Sequence, residues 1–376
     1  MPAVDNVLVI GGGAAGAASA IFLARAGVHV DLIDITDGPS ALGSGITLQG
    51  NALRVFQQLG VLEQIAANGY PYNGIGLRAP DAAGTVLAEI PDAKTGGPDL
   101  PAVVGALRPD MAQILVDKAR EVGVTLRYQT TCTALTQDAD GVDVTFTDGT
   151  TGRYDLVIGA DGIRSWTRRA VGIDLDTKGT GMGIWRVYGP RPEQVVRTDL
   201  YYGGPCYIAG YCPTGEDSMY AYLVEEAQDR TGLTAAERLD VFRKLAAEYH
   251  GPFDDIREQL DDAGKVNYTH FETHVLPAPW NRGRVVLIGD AAHACPPTLA
   301  QGAAMALEDA SVLCELLLSH DVLDETLWSQ FMDRRHARAK WVVDASNQLG
   351  QWLLDHQQGD VPKLMHDLAD LVSQPA

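Results

Sequence analysis

Cysteine is scarce: Cys132, Cys206, Cys212, Cys295 and Cys314 are odd in number, widely spaced and without a CxxC pair. That pattern argues against a disulfide framework or a zinc site and fits reduced thiols in a cytoplasmic protein. Basic charge is also in short supply, with 29 Lys and Arg against 49 Asp and Glu and a formal charge of -20. No basic cluster stands out to neutralise phosphates, so nucleic acid and anionic membranes are disfavoured as partners, and the charge serves solubility. Long apolar runs are missing as well. The most apolar helical stretch, Ala14 to Ala26, is too short to span a bilayer. Met1 leads into Val7 to Ile10 with no basic n-region and no small-residue cleavage site, so no signal peptide is expected. What is present is 376 residues, 46% of them hydrophobic, enough for two domains or for one domain carrying an inserted second.

Val7 to Ile10 is a short, β-branched apolar run, followed at once by Gly11-Gly12-Gly13-Ala14-Ala15-Gly16 and a helical stretch through Arg25. The pattern predicts strand, tight turn, helix. Gly11 permits the turn, Gly13 lets the backbone approach a pyrophosphate, and Gly16 lets the helix pack near the strand. The free N–H groups at the helix start hold the anion. Val28 to Ile33 predicts a second strand ending at Asp34, where a carboxylate accepts hydrogen bonds from ribose hydroxyls. Asp34 disfavours a 2′-phosphate at this site. Glycine-rich turns also serve packing alone, and on this motif NAD and FAD both stay open.

Two later segments repeat the idea of a buried strand ending in a small-residue turn with one acid. Tyr154 to Ser165 reads YDLVIGADGIRS, and Gly283 to His293 reads GRVVLIGDAAH before Pro296-Pro297-Thr298-Leu299-Ala300-Gln301-Gly302 and a helix over Ala303 to Leu318. An acid at the carboxyl end of a parallel strand is well placed to hold a sugar or ribitol hydroxyl. Either segment alone is equally an ordinary loop with a capping Asp.

With GGGAAG, GADGIRS and GDAAHACPPTLAQG in this order, the chain resembles the single-component FAD-dependent aromatic hydroxylases, the group built like p-hydroxybenzoate hydroxylase. Within the group, Gly289 to Ala310 looks most like enzymes of hydroxypyridines and related heteroaromatics. The resemblance implies an α/β fold: a Rossmann-like FAD-binding domain (1–70, 106–175 and 275–322), an inserted antiparallel-sheet substrate domain (71–105 and 176–274), and a C-terminal helical segment (323–376). It implies the adenosine part of FAD on Gly11, Gly13, Ala14, Ala15, Gly16, Asp34 and Ile35, with the backbone of Cys132 near the adenine. Arg108 matches an arginine that reaches the pyrophosphate and ribitol region. Asp161 belongs to a segment serving both FAD and NAD(P)H, and Gly289 and Asp290 would hold the ribitol. Pro297 matches a proline over the flavin, and the backbone around Gly302 and Ala303 would bind the flavin carbonyls. The family commonly has Glu where this chain has Asp34, and a basic residue where it has Ile35. No second GxGxxG opens a helix, which leaves NADH or NADPH open as co-substrate.

Between the second and third motifs the composition shifts to aromatic strands: Gly183 to Tyr188, Leu200 to Tyr211 and Ser218 to Val224. Alternation places Tyr220 and Tyr222 on one sheet face, able to roof a pocket. By resemblance Arg186 and Tyr220 lie on substrate-binding strands, and Arg186 could pair with a substrate carboxylate or phenolate. Each residue alone is also accounted for by a surface ion pair or by sheet packing. Tyr211, Tyr222, Thr47 and Gln49 are weaker candidates. His293 is expected to support the site from behind rather than act as a base. His270 and His274 lack a third ligand for a metal, and Ser165 lacks a nucleophile elbow. Thr326 to Leu354 predicts a packing helix, in a monomer or a homodimer. The chemistry implied is reduction of FAD by NAD(P)H, addition of O2 to give a flavin C4a-hydroperoxide, and attack on its distal oxygen by a small aromatic ring. Alternatives are a larger polycyclic or antibiotic substrate, and a flavin redox sensor that does not turn over.

Overall fold

The computed structural model describes residues 2–39, 44–260 and 262–376. Val7 to Ile10 and Leu156–Gly159 are apolar at every position, as strands buried on both faces require, and they form the centre of a six-stranded sheet. Its order is Asn281–Arg282, Val285–Leu287, Leu156–Gly159, Asn6–Ile10, His29–Ile33 and Thr125–Arg127, parallel except at Asn281–Arg282. One face is covered by the alanine-rich helix Ala14–Arg25 and the helix Gly302–Ser319, whose small side chains bring the backbones close. The other face is covered by an antiparallel ribbon, Cys132–Gln137, Val142–Phe146 and Thr151–Tyr154. This is the expected Rossmann-like domain.

The second layer is an eight-stranded sheet built around Lys178–Pro190, Thr198–Tyr201, Ile208–Pro213, Ser218–Glu226 and Val266–Val275. Pairing is antiparallel apart from Thr198–Tyr201 against Gly74–Arg78. The stretch expected as one strand from Leu200 to Tyr211 is a hairpin, because Gly203 and Gly204 take left-handed backbone angles and reverse the chain. Trp185, Val187, Ala221, Leu223 and Tyr211 point to the outer face, where the helices Ala235–Ala246 and Pro252–Gln259 cover them. The first of these helices starts on a capping box, Thr234 with Glu237. Covering the outer face leaves Arg186, Tyr188, Tyr220 and Tyr222 on the inner one.

A small three-stranded sheet, Gly45–Gln49, Val103–Leu107 and Tyr70–Tyr72, lies on that inner face. Gly45 is in contact with the Tyr220 ring, and a Cβ there would fall 2.0 Å from it. Gly74–Arg78 and Val86–Pro91 close one edge of the eight-stranded sheet. The chain ends in two helices, Glu325–Leu354 and Val361–Ser373. Among the described residues no helix is long and apolar enough to cross a membrane.

Candidate active site

The loops at the carboxyl ends of the parallel strands converge. Gly11 takes φ +103° and touches Ala160 and Asp161, so the first glycine turn and the Asp161 loop are packed together. Gly289, at φ +59°, lies against Ala15 and Ala306, which brings the third motif to the starts of both long helices. Among the described residues no side chain caps either helix start, at Gly13 or at Gln301, and none lies in the space in front of Gly13. Unspent N–H groups and the positive end of the helix dipole there suit a diphosphate and an electron-rich ring edge.

Asp34 accepts from the Gly12 amide at 2.7 Å and from the amide and hydroxyl of Thr36 at 2.8 and 2.6 Å, so it ties the second strand end to the glycine turn. Ile35 beside it is 74% exposed. Cys132 is buried at the start of its strand, and burial pushes its thiol up to about 12. The Asp161 carboxylate is spent locally. It accepts from the Ser165 hydroxyl at 2.5 Å and from the amide and hydroxyl of Thr167 at 2.8 and 2.9 Å. Ser165 in turn caps Arg168, whose guanidinium donates to the carbonyls of Ala291 (2.8 Å) and Ile163 (3.0 Å). The second motif thereby holds the third in place.

Asp290 is solvent-accessible although protein surrounds it, so it opens onto an internal cleft, and burial raises its carboxyl above the usual range. Its carbonyl accepts from His274 at 2.9 Å, while the other ring nitrogen of His274 meets the Thr177 hydroxyl at 2.8 Å. A carbonyl only accepts, so Nε2 of His274 carries a proton. Burial pushes its pKa down to about 4, with the Arg168 charge adding to the effect. Pro297 is exposed on the short turn Pro297–Leu299, just before Gly302 and Ala303, which are partly open.

Arg108 begins the helix after Val103–Leu107, and its buried Nε has no hydrogen-bond partner among the described residues. Its charge acts on Asp290, Arg186 and Tyr220, which puts it between the cofactor loops and the inner sheet face. On that face Arg186 sits opposite Tyr222 and Tyr188 opposite Tyr220, and the Tyr220 and Tyr222 rings lie 5.3 Å apart. Arg186 bonds only the Thr269 hydroxyl, at 2.7 Å, and has no carboxylate partner among the described residues. Burial and the nearby Arg108 lower its pKa to about 10, so it stays charged at neutral pH. Burial pushes the Tyr220 phenol up to about 12 and Tyr222 well above its ordinary value, leaving both as neutral donors.

Tyr220 meets Thr47 at 3.3 Å. Behind them, Tyr72 bonds the Thr198 hydroxyl at 2.6 Å and the Cys212 thiol at 3.3 Å. Gln49 ends the Thr47 strand, and Tyr211 is turned to the helix-covered core, where it donates to Asp199.

Sequence patterns passed over a buried charge cluster behind the cofactor loop. Asp309 accepts from the Gly289 amide at 2.9 Å, from His293 at 2.6 Å and from Arg335 at 2.8 Å. Glu308 accepts from Arg335, Arg338 and Asn51, and Asn51 also donates to Gln301. Burial disfavours both charged carboxyls, but Arg335 holds each below the usual range, with His293 acting on Asp309 and Arg338 on Glu308. Two signals were there to find it: adjacent acids between Leu307 and Ala310 in a mostly apolar helix, and Arg335 and Arg338 on the apolar stripe of Trp328, Phe331, Val342 and Ala345.

A glycine turn, three strand-end acids and two uncapped helices around one cleft define a dinucleotide-binding flavoprotein. The chain belongs to the FAD binding domain family, whose model matches residues 5–346. It is similar to 2-heptyl-3-hydroxy-4(1H)-quinolone synthase of Pseudomonas aeruginosa, 32% identical over 360 residues, covering 92% of this chain and 90% of that one. It is also similar to 6-hydroxynicotinate 3-monooxygenase of Bordetella bronchiseptica, 28% identical over 374 residues, covering 96% and 95%. Among solved structures, Klebsiella pneumoniae HpxO complexed with FAD and uric acid shares the fold, with a TM-score of 0.84 at 20% identity over 98% of this chain and 97% of that one. The protein is an FAD-dependent monooxygenase. The open space at Gly13, the accessible Asp290 and the unpartnered Arg108 Nε fit that cofactor.

Proposed function

We propose that this monooxygenase hydroxylates a small aromatic or N-heteroaromatic ring bearing an ionisable hydroxyl or carboxylate, at the expense of NADH or NADPH and O2. FAD, when bound, supplies the reduction and the reaction with oxygen that make an oxygen donor. The glycine turn, Asp34, Arg108, Asp290 and the backbone from Pro297 to Ala303 would hold it.

Arg186 carries the reading. A guanidinium on an apolar, tyrosine-lined face, without a carboxylate partner among the described residues, is costly until an anion arrives. Arg186 would pair with the substrate's acidic group, and Tyr220 would donate to its ring oxygen, fixing which carbon faces the flavin. The packed Tyr220 and Tyr222 rings would exclude water from that chamber. The names of the quinolone synthase and the hydroxynicotinate monooxygenase support a nitrogen heteroaromatic ring.

The test is oxidation of NADH and of NADPH by the FAD-loaded protein with phenols, hydroxybenzoates, hydroxypyridines and the carboxamides of the acidic members. Faster oxidation with the acids, and products heavier by one oxygen, are expected. Equal response to acid and amide would remove Arg186 from substrate binding. No response to any ring would remove the substrate class.

A further inference from the structure

The cofactor loop and the last helix share both an apolar cluster and an ionic one. Leu299, in the turn after Pro297, and Met305, in the helix that follows, are packed in one buried cluster with Val342, Leu368 and Val372. The last two belong to the terminal helix Val361–Ser373. Beside this cluster, Arg338 pairs with Glu308 at 2.7 Å and reaches the carbonyls of Leu371 and Gln374 at 2.6 and 3.1 Å. Arg54 donates to the carbonyls of Val372, Ser373 and Gln374, so two arginines clasp the carbonyls that end the terminal helix. From Glu308 the connection runs through Arg335 to Asp309 and ends on the Gly289 amide and His293. Gln301, the residue before the flavin helix, is tied in through Asn51. None of these groups faces the cleft, yet all of them set the two backbone segments that do.

We propose that Glu308, Asp309, Arg335 and Arg338 are positioning residues through which the terminal helix holds the Gly289–Asp290 turn and the Pro297–Ala303 loop in their cofactor-binding shape. This rests on FAD occupying that cleft. Gly289 sits at φ +59° with its amide on the buried Asp309 carboxylate, and this is the bond that ties the turn to the terminal helix, beside His274 on the Asp290 carbonyl and Arg168 on the Ala291 carbonyl. Loosening the terminal helix then costs cofactor affinity and not only stability.

Three variants of the full chain test it: Asp309→Asn, Leu368→Ala, and Leu239→Ala in the outer core of the eight-stranded sheet, which serves as a comparison of similar packing loss. Each is stripped of flavin, titrated with FAD by fluorescence, and melted with and without saturating FAD. Asp309→Asn and Leu368→Ala are expected to raise the FAD Kd by about tenfold or more and to shrink the Tm gain that FAD brings, while Leu239→Ala lowers both melting points in parallel. A purely structural role predicts that parallel loss for all three, with every Kd within about twofold of wild type, and this result overturns the proposal. Should Asp309→Asn fail to fold, Leu368→Ala decides alone. Wild-type protein that took up no FAD would instead strike the cofactor assignment itself.

Discussion

The parallel sheet presents its strand ends to a ligand, whereas the eight-stranded sheet presents a face. At the strand ends the backbone offers uncapped helix starts after Gly13 and Gln301, with one carboxylate per loop, at Asp34, Asp161 and Asp290. The residues of each loop are therefore neighbours in sequence. On the face, Arg186, Tyr188, Tyr220 and Cys212 come from three strands and meet only through pairing register. The first arrangement suits a cofactor whose shape does not change, and the second lets single side chains change the substrate without disturbing the fold.

If the two regions are separable, damage to one leaves the other working. Gly11→Val makes the strongest break. Its Cβ would fall 2.4 Å from the Ala160 carbonyl, at a backbone angle that valine resists. Loss of about 3 kcal/mol or more in FAD binding, about a hundredfold in Kd, is expected by flavin titration, with far-UV circular dichroism nearly unchanged. Arg186→Met makes the opposite break. FAD affinity is expected to hold within about twofold, while KM for an acidic substrate rises by about 30- to 150-fold, or roughly 2–3 kcal/mol. A carboxamide analogue should be affected far less, and equal losses for both would show that the guanidinium packs rather than pairs.

The same division explains what could be read before the fold was known. The glycine turn, Asp34, the Asp290 turn and the helix over Gly302–Ser319 were legible because strand, turn and helix are local patterns. The shared face of Tyr220 and Tyr222 followed from alternation. Alternation gives no pairing register, so it could not show Thr47 meeting Tyr220, or Tyr72 linking Thr198 to Cys212. Nor could it show that Tyr211 is turned to the outer core. The charge cluster around Asp309 joins positions from Asn51 to Arg338, a separation no local pattern spans.

His274 lies on a strand of the eight-stranded sheet yet holds the Asp290 carbonyl, so it tests how firmly the two regions are joined. Its folded pKa, about 4, lies below the unfolded 6.5, so folding favours the neutral ring. That stability is fully present above about pH 6.5 and is lost as pH falls through that range toward 4, on the order of 2 kcal/mol. His274→Gln keeps a neutral donor to the carbonyl and should erase this component, flattening the fall of Tm and of FAD retention between pH 6.5 and 4. Carboxylates lose stability in acid in both proteins, so the difference between the two curves is the quantity to measure. A difference that did not vary with pH would mean that His274 is neutral for reasons unrelated to the joint.

Tyr220→Phe should give the smallest effect, because it removes one hydroxyl and leaves the ring against Gly45 and Tyr222. The lost bond to Thr47 is long, 3.3 Å, so little stability depends on it. A substrate oxygen would lose one neutral donor, about 1 kcal/mol, or roughly fivefold in affinity. The effect on outcome should exceed the effect on binding. A ring held by Arg186 alone can pivot, so more NAD(P)H should end as peroxide and less as hydroxylated product. Product formed per NAD(P)H consumed is therefore the measurement. A variant with weaker binding but unchanged yield would confine Tyr220 to affinity, and one with neither change would remove Tyr220 from contact with substrate.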